Sequence, residues 1–305
     1  MPDLNSKAPQ HISVCICTYK RPVLLQRLLD ELRQQDTGGL FTYSIVVADN
    51  DQLESGREVV SEFVATSPIP IRYCVQPQQN IALTRNKAVE NASGDYIAFI
   101  DDDEFPAKNW LWNLFKTCNE HHVAGVLGPV KRHFDEEPPK WIVKGNFYER
   151  PTHPTGYVMS WQGARTGNLL FKRQLVEGGE PPFRPQFRAS EDKDFFRRMT
   201  EKGHVFVWCD EAVVFEVVPP ARWKRSYMLR KALLRGATTV LHPTFGKRDI
   251  LKSLVAIPAY SLALPFALLL GQDKFMDLLV REFDHIGKLL QLLHLNPVKE
   301  QYIAD

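Results

Sequence analysis

Short, wholly apolar runs alternate along the chain with longer stretches whose apolar residues recur at helical spacing. HISVCICT (11–18) predicts a buried strand. Pro22 suits the first turn of a helix that Val23, Leu24, Leu25, Leu28, Leu29 and Leu32 continue. YSIVVADN (43–50), IRYCVQP (71–77) and YIAFI (96–100) read as further strands. ESGREVVSEFVA (54–65), ALTRNKAVENAS (82–93) and NWLWNLFKTCNEHH (109–122) read as helices, the second stopped by Gly94. Strands apolar along their whole length, separated by helices, predict a sheet covered on both faces, so the fold class is doubly wound α/β.

Beyond residue 134 the pattern loosens. FDEEPPKWIVKGNFYERPTHPTGY (134–157) predicts a long surface loop. GARTGNLLF (163–171) and HVFVWCDEAVVFEVV (204–218) are strand-like, with a helix between them over SEDKDFFRRMTEKG (190–203), where Ser190 is a candidate cap. Residues 254–271, LVAIPAYSLALPFALLLG, carry no charge and contain Pro258 and Pro265. The run is close to the shortest that spans a bilayer. Lys247, Arg248 and Lys252 precede it, as beside an anionic leaflet, and 273–295 is amphipathic. A half-buried or interfacial hairpin is expected over a full crossing, with a helical hairpin packed on the main domain as the alternative. The expected organisation is a catalytic domain over 1–235 and a helical, membrane-associated region over 236–305.

Composition narrows this only slightly. The 305 residues are 44% hydrophobic and 24% charged, enough for a substantial core. A net charge of +2 gives no field that favours nucleic acid. The cysteines, Cys15, Cys17, Cys74, Cys118 and Cys209, are odd in number and form no CxxC pair, which fits reduced structural thiols. Cys15 and Cys17 share one strand face. The first residues, MPDLNSKAPQHIS, lack the apolar core of a signal peptide, so a cytoplasmic location is expected.

The chemistry concentrates at predicted strand ends, where ligands of such sheets bind. Those ends carry Thr18 to Arg21, Asp49 to Asp51, Gln76 to Asn80 and Asp101 to Glu104. Adjacent carboxylates repel, and desolvation raises the cost. A divalent cation would offset it. Asp101 and Asp103, two apart on a strand, are expected to face one cavity, and hard oxygen donors suit Mg²⁺ or Mn²⁺.

In order and spacing, Thr18–Pro22, Val47–Asn50, Leu83–Asn86, Gly94–Asp103 and Ser190–Asp192 resemble family 2 glycosyltransferases of the GT-A fold, in particular bacterial exopolysaccharide glucosyltransferases of the succinoglycan type. The resemblance covers residues 11 to 235. It implies a nucleotide-sugar site that includes Thr18, Tyr19 and Arg21, with Asp49 accepting from the uracil ring of a UDP-sugar, UDP-glucose above all. Arg85 would lie near the base or diphosphate, Asp101 would hold ribose or sugar, and Asp103 would bind Mn²⁺ or Mg²⁺. Asp102, beside these, is expected to be solvated or structural. Asp192, preceded by Glu191, would be the general base. A helix-surface role for Arg85 and a helix N-terminal role for Asp192 are what the residues alone favour.

The implied reaction is inverting sugar transfer to a polyprenyl-diphosphate-linked oligosaccharide at the cytoplasmic face of the inner membrane. Many members carry a histidine after the late strand. Here Glu216 stands there, either a metal ligand or an ion-pair partner of Arg222 or Lys224. Arg222 with Trp223 faintly resembles the acceptor-side pair of processive relatives, but without the full pattern, so single addition is expected. Trp141, Trp161 and Tyr157 are candidates to stack on acceptor sugars or to pack internally. His121 and His122 end a helix and suggest no chemistry. The competing readings are a sugar-1-phosphate nucleotidylyltransferase, whose Gly-rich signature ICTYKRPVLL lacks, and a non-catalytic subunit of a polysaccharide assembly complex.

Overall fold

The computed structural model describes residues 9–187, 190–242 and 244–295. Residues 1–8, where most of the leader reading falls, lie outside it. The described chain falls into two compact units. The first combines residues up to Lys131 with Arg150–Glu216, and the second combines Arg132–Glu149 with the chain from Val217 onward.

The elements follow one another as β1 (Gln10–Thr18), α1 (Pro22–Leu32), β2 (Phe41–Asp49), α2 (Arg57–Thr66), β3 (Ile71–Val75), α3 (Ile81–Glu90), β4 (Tyr96–Asp101), β5 (Glu104–Pro106), α4 (Trp110–Glu120), β6 (Gly125–Leu127) and β7 (Val130–His133). After these come α5 (Lys140–Lys144), β8 (Asn168–Lys172), α6 (Glu191–Glu201), β9 (Phe206–Trp208), β10 (Val214–Val217), α7 (Arg225–Val240), α8 (Lys247–Leu270) and α9 (Gln272–Leu292). Pro22 opens α1 as expected, and its missing N–H is one that the first turn leaves free in any case.

The main sheet has the order β3-β2-β1-β4-β8-β6-β9. β3, β2, β1 and β4 run parallel, and β8 enters antiparallel to both β4 and β6. Strand alternation sorts β1 to two cores. Ile12, Val14 and Ile16 meet Leu25, Leu28 and Leu29 of α1 on one face. Cys15, with Cys17 partly buried beside it, meets Ala82 and Ala88 of α3 on the other. All five cysteines are free thiols. Both faces are therefore covered, the reason the strands read as continuous apolar runs.

Some local expectations change. α3 ends at Glu90, capped by Asn91 in right-handed conformation, so Gly94 does not stop it. Gly94 instead lies against β1: a Cβ there would come within 2.6 Å of the His11 carbonyl oxygen and 2.7 Å of the Ser13 nitrogen. Ser190 stands at the N-cap of α6 but makes no side-chain capping bond. The segment 134–157 contains α5, and its first part belongs to the second unit. A boundary at 235 falls inside α7; the chain instead changes unit at 131/132, 149/150 and 216/217.

The second unit has its own small core of Ile142, Met228 and Met276, ringed by aromatic side chains including Trp141, Phe147 and Trp223. In it α7 and α8 each pack along α9. α8 remains largely uncovered, so it is not a buried core hairpin.

Candidate active site

Parallel register brings the carboxyl ends of the central strands level: Thr18 pairs with Asp49, and Cys17 with Asp101. Past Thr18 the chain turns sharply, with Lys20 in the left-handed region at φ 55°, and Arg21 is carried toward β4. The Thr18 hydroxyl donates to Asp102 Oδ2 at 2.8 Å. Arg21 Nη1 reaches Asp102 Oδ1 at 3.0 Å and Asp103 Oδ2 at 3.5 Å. Tyr19 is half-buried between these residues.

Asp101 and Asp103 therefore do not share a partner by strand alternation. β4 ends at Asp101, and the turn at 102–103 places Asp102 and Asp103 together on Arg21. Asp101 meets Arg85 instead, Oδ1 to Nη2 at 3.8 Å. Asp102 is structural rather than solvated, only 5% exposed. Burial pushes its carboxyl up to about 7, with Arg21 opposing the shift and Asp103 adding to it.

Arg85 lies at the centre of the constellation. It is buried on α3, whose N-terminus Asn80 caps by accepting from the Ala82 and Leu83 N–H groups. Its guanidinium also pairs with buried Glu191 at the start of α6, and the charge of Asp192 bears on it as well. Arg85 is thus no surface arginine. It joins the end of β4 to the start of α6, so Asp101 and Glu191 lie on either side of one guanidinium. Asp192 is half-buried, with Oδ1 accepting from the Lys193 N–H at 2.7 Å.

Burial raises Glu191 to about 7, with Arg85 opposing and Asp192 adding. Unfolded, it titrates near its ordinary 4.5. Between these values the folded state keeps a proton the unfolded state has lost, so this residue's contribution to stability falls as pH rises. Glu191→Gln should flatten the dependence of melting temperature on pH between about 4.5 and 7. An unchanged slope in thermal melts at constant ionic strength would count against the buried assignment.

Two site features depend on distant parts of the chain. Glu216 stands opposite Glu104 in the antiparallel pairing of β10 with β5, and it forms an ion pair with Arg150. Sequence spacing pointed to Arg222 or Lys224 and missed Arg150, 66 positions away. Glu104 is 2% exposed, its Oε2 accepts from the Asp101 N–H at 3.3 Å, and burial holds its carboxyl well above the usual range, with Asp101 adding. Gly167 faces this group. A Cβ there would lie 2.9 Å from both Asp101 Oδ2 and Glu104 Oε1, so a side chain would crowd the carboxylates.

Asp49 also supports its own loop. It is fully buried, with Oδ1 accepting from the Asp51 N–H at 2.9 Å and Oδ2 from the Gly56 N–H at 2.8 Å and the Tyr73 hydroxyl at 2.7 Å. These bonds shape the loop after β2, and Oδ1, with a single partner among them, keeps acceptor capacity. Asn50 does similar work. Its amide donates to the Gln76 and Gln78 carbonyls and accepts from the Asn80 N–H, tying the ends of β2 and β3 to α3.

The donor set suits a hard divalent cation in kind. Carboxylates outnumber guanidinium groups, and burial pushes the Asp102 and Glu104 carboxyls up, a cost that a bound cation would offset. Among the described residues, no three His, Cys, Asp or Glu side chains are gathered around one point. Asp103 is engaged by Arg21 and Glu216 by Arg150, so metal binding would compete with these arginines. The aromatic candidates divide. Trp141 packs on Phe147 and Trp161 against the sheet core, whereas Tyr157 is exposed and stacks on His153.

A parallel-rich mixed sheet, acidic at the carboxyl end of its fourth strand and joined through a buried arginine to a helix-start acid pair, defines a glycosyltransferase of the GT-A fold. Residues 13–190 match the model of glycosyl transferase family 2, and the chain belongs to that family. It is 33% identical over 233 residues to the succinoglycan biosynthesis protein ExoM of Rhizobium meliloti (strain 1021), covering 75% of this chain and 74% of that one. The mannosyltransferase PcManGT of Pyrobaculum calidifontis, solved with GDP-Man and Mn²⁺, has the same fold at a TM-score of 0.64 and 18% identity, over 95% of this chain and 88% of that one. S. aureus TarS 1–349 in complex with UDP superposes at 0.52 with 17% identity, over 93% and 91%.

Proposed function

We propose that the protein transfers glucose from UDP-glucose, with inversion, to a polyprenyl-diphosphate-linked oligosaccharide in exopolysaccharide assembly at the cytoplasmic face of the inner membrane. The observation that carries the reading is the Arg85 bridge between Asp101 and Glu191, which supports a site shared by the acids at the end of β4 and the acid pair that opens α6. Likeness to a succinoglycan biosynthesis protein supports the exopolysaccharide setting, and a structural neighbour solved with UDP supports the donor class. The apolar, uncovered α8 supports a membrane acceptor.

In this reading the acceptor hydroxyl oxygen forms a bond to the anomeric carbon as the bond from that carbon to the diphosphate oxygen breaks. The hydroxyl proton passes to the Asp192 carboxylate, and UDP leaves with the bonding pair. The direct displacement inverts the anomeric carbon, so an α-linked donor gives a β-linkage. Arg85 orients the donor side of the cleft. Asp103, with Glu216, would hold Mn²⁺ or Mg²⁺, which when bound offsets the charge of the leaving diphosphate. Asp49 and Asn50 fix the loop beside the nucleotide subsite, and Thr18 and Arg21 hold Asp102.

Purified protein given a panel of nucleotide sugars with Mn²⁺ should release UDP slowly from UDP-glucose even without acceptor, and chelation should stop it. GDP release alone would move the donor assignment. Release of pyrophosphate from UTP would favour a nucleotidylyltransferase.

A further inference from the structure

α8 has two unlike faces. Toward α9 it buries Ser253 and Ala267, and Ser253 Oγ hydrogen-bonds with His285 Nδ1 at 2.9 Å. Ser261 donates to the largely buried Glu282. The outward face carries Leu251, Leu254, Val255, Leu262, Phe266 and Leu269, each 55–85% exposed and at offsets that fall on one side of a helix. Exposed Lys247, Arg248 and Lys252 flank its N-terminal end.

The helix is long and apolar enough to cross a bilayer. Three features oppose a crossing. First, α9 packs along α8 and is joined to it by the Ser253–His285 and Ser261–Glu282 contacts. Moving α8 through hydrocarbon would either break those pairs or carry Asp277, Arg281, Glu282, Asp284 and Lys288 with it, and ionisable groups at bilayer depth are costly. Second, Pro258 and Pro265 both lie on the exposed face and have no N–H. The Leu254 and Ser261 carbonyls therefore lack their usual donor four residues on. Hydrocarbon offers no replacement, whereas water and headgroups at the interface do. Third, the basic residues at the start of the apolar stripe match an anionic lipid surface.

We propose that α8 lies in the plane of an anionic bilayer, its Leu251–Leu269 stripe sunk among the headgroups and upper acyl chains, with α9 above it on the aqueous side. The chain is then held at a surface and does not span it. This rests on the membrane setting given above. It adds that the α8–α9 hairpin docks on lipid from one side only, where a lipid-linked acceptor is confined.

The full chain should float with sealed vesicles containing phosphatidylglycerol and remain behind with phosphatidylcholine alone. Leu262→Glu with Phe266→Glu should lower the bound fraction about tenfold or more while leaving UDP release unchanged. In everted inner-membrane vesicles from producing cells, Arg248→Cys and Lys274→Cys should both react with an impermeant maleimide beyond the wild-type labelling. Labelling of Arg248→Cys alone means a crossing; it overturns the in-plane arrangement and leaves the membrane setting intact. Failure to float overturns both. A dimer that Phe266→Glu dissociates, without flotation, assigns the stripe to a second copy of the chain and overturns the proposal.

Discussion

Asp192→Asn is expected to lower sugar transfer about 10²- to 10⁴-fold while UDP-sugar affinity stays within a few-fold of wild type. An acceptor hydroxyl must lose its proton as it attacks, and Asp192 is the half-buried carboxylate beside the Arg85–Glu191 pair. Asparagine keeps the shape and the position at the start of α6 but cannot accept that proton. A purely structural role at the helix N-terminus predicts something different, a stability loss of a few tenths to about 1 kcal/mol with little change in turnover. Initial rates with acceptor, set beside UDP-sugar titrations, separate the two. Transfer at near wild-type rate in the variant would remove Asp192 from the chemistry and leave only the donor site standing.

Asn168→Leu is expected to destabilise the first unit by about 3 kcal/mol or more, lowering its melting midpoint by roughly 6–12 °C. The Asn168 side chain is 1% exposed and fully used. Its Oδ1 accepts from Trp110 Nε1 at 2.8 Å, and its Nδ2 donates to the Pro129 carbonyl at 3.0 Å and the Ala212 carbonyl at 2.7 Å. One amide thus joins α4, the end of β6 and the loop before β10. Leucine of similar volume would leave the Trp110 indole N–H and the Ala212 carbonyl buried without these partners, each costing about 1–3 kcal/mol, while the Pro129 carbonyl keeps the Val214 N–H. Near-neutral thermal stability would mean that water reaches these groups and that the junction is open. The variant also tests the site indirectly, since Asn168 pairs with Ile100, next to Asp101.

Much of the fold was legible because its signals are local. Apolar runs without alternation announced a sheet covered on both faces, and Pro22 marked the start of α1. The acidic run after YIAFI stood out for the same reason, four carboxyl groups in a row at a strand end. The partners of those acids were not legible. Glu216 meets Arg150 only because β10 and β5 pair in the register that sets Glu216 against Glu104. The partners of Asp49 were not legible either: its Oδ2 accepts from the Gly56 N–H and from the Tyr73 hydroxyl of a neighbouring strand. Asp101 and Asp103 looked alike under strand alternation until the strand ended at Asp101.

The amino-acid sequence by itself determined the family, the alternation of strands and helices through α4 and the place along the chain where acids collect, because periodicity and motif spacing survive in one dimension. Only the tertiary structure decided which acid meets which arginine and which face of α8 is left bare. Those outcomes depend on strand register, burial and helix pairing between residues tens of positions apart, and a buried charge takes its state from whatever the fold places within a few ångströms of it.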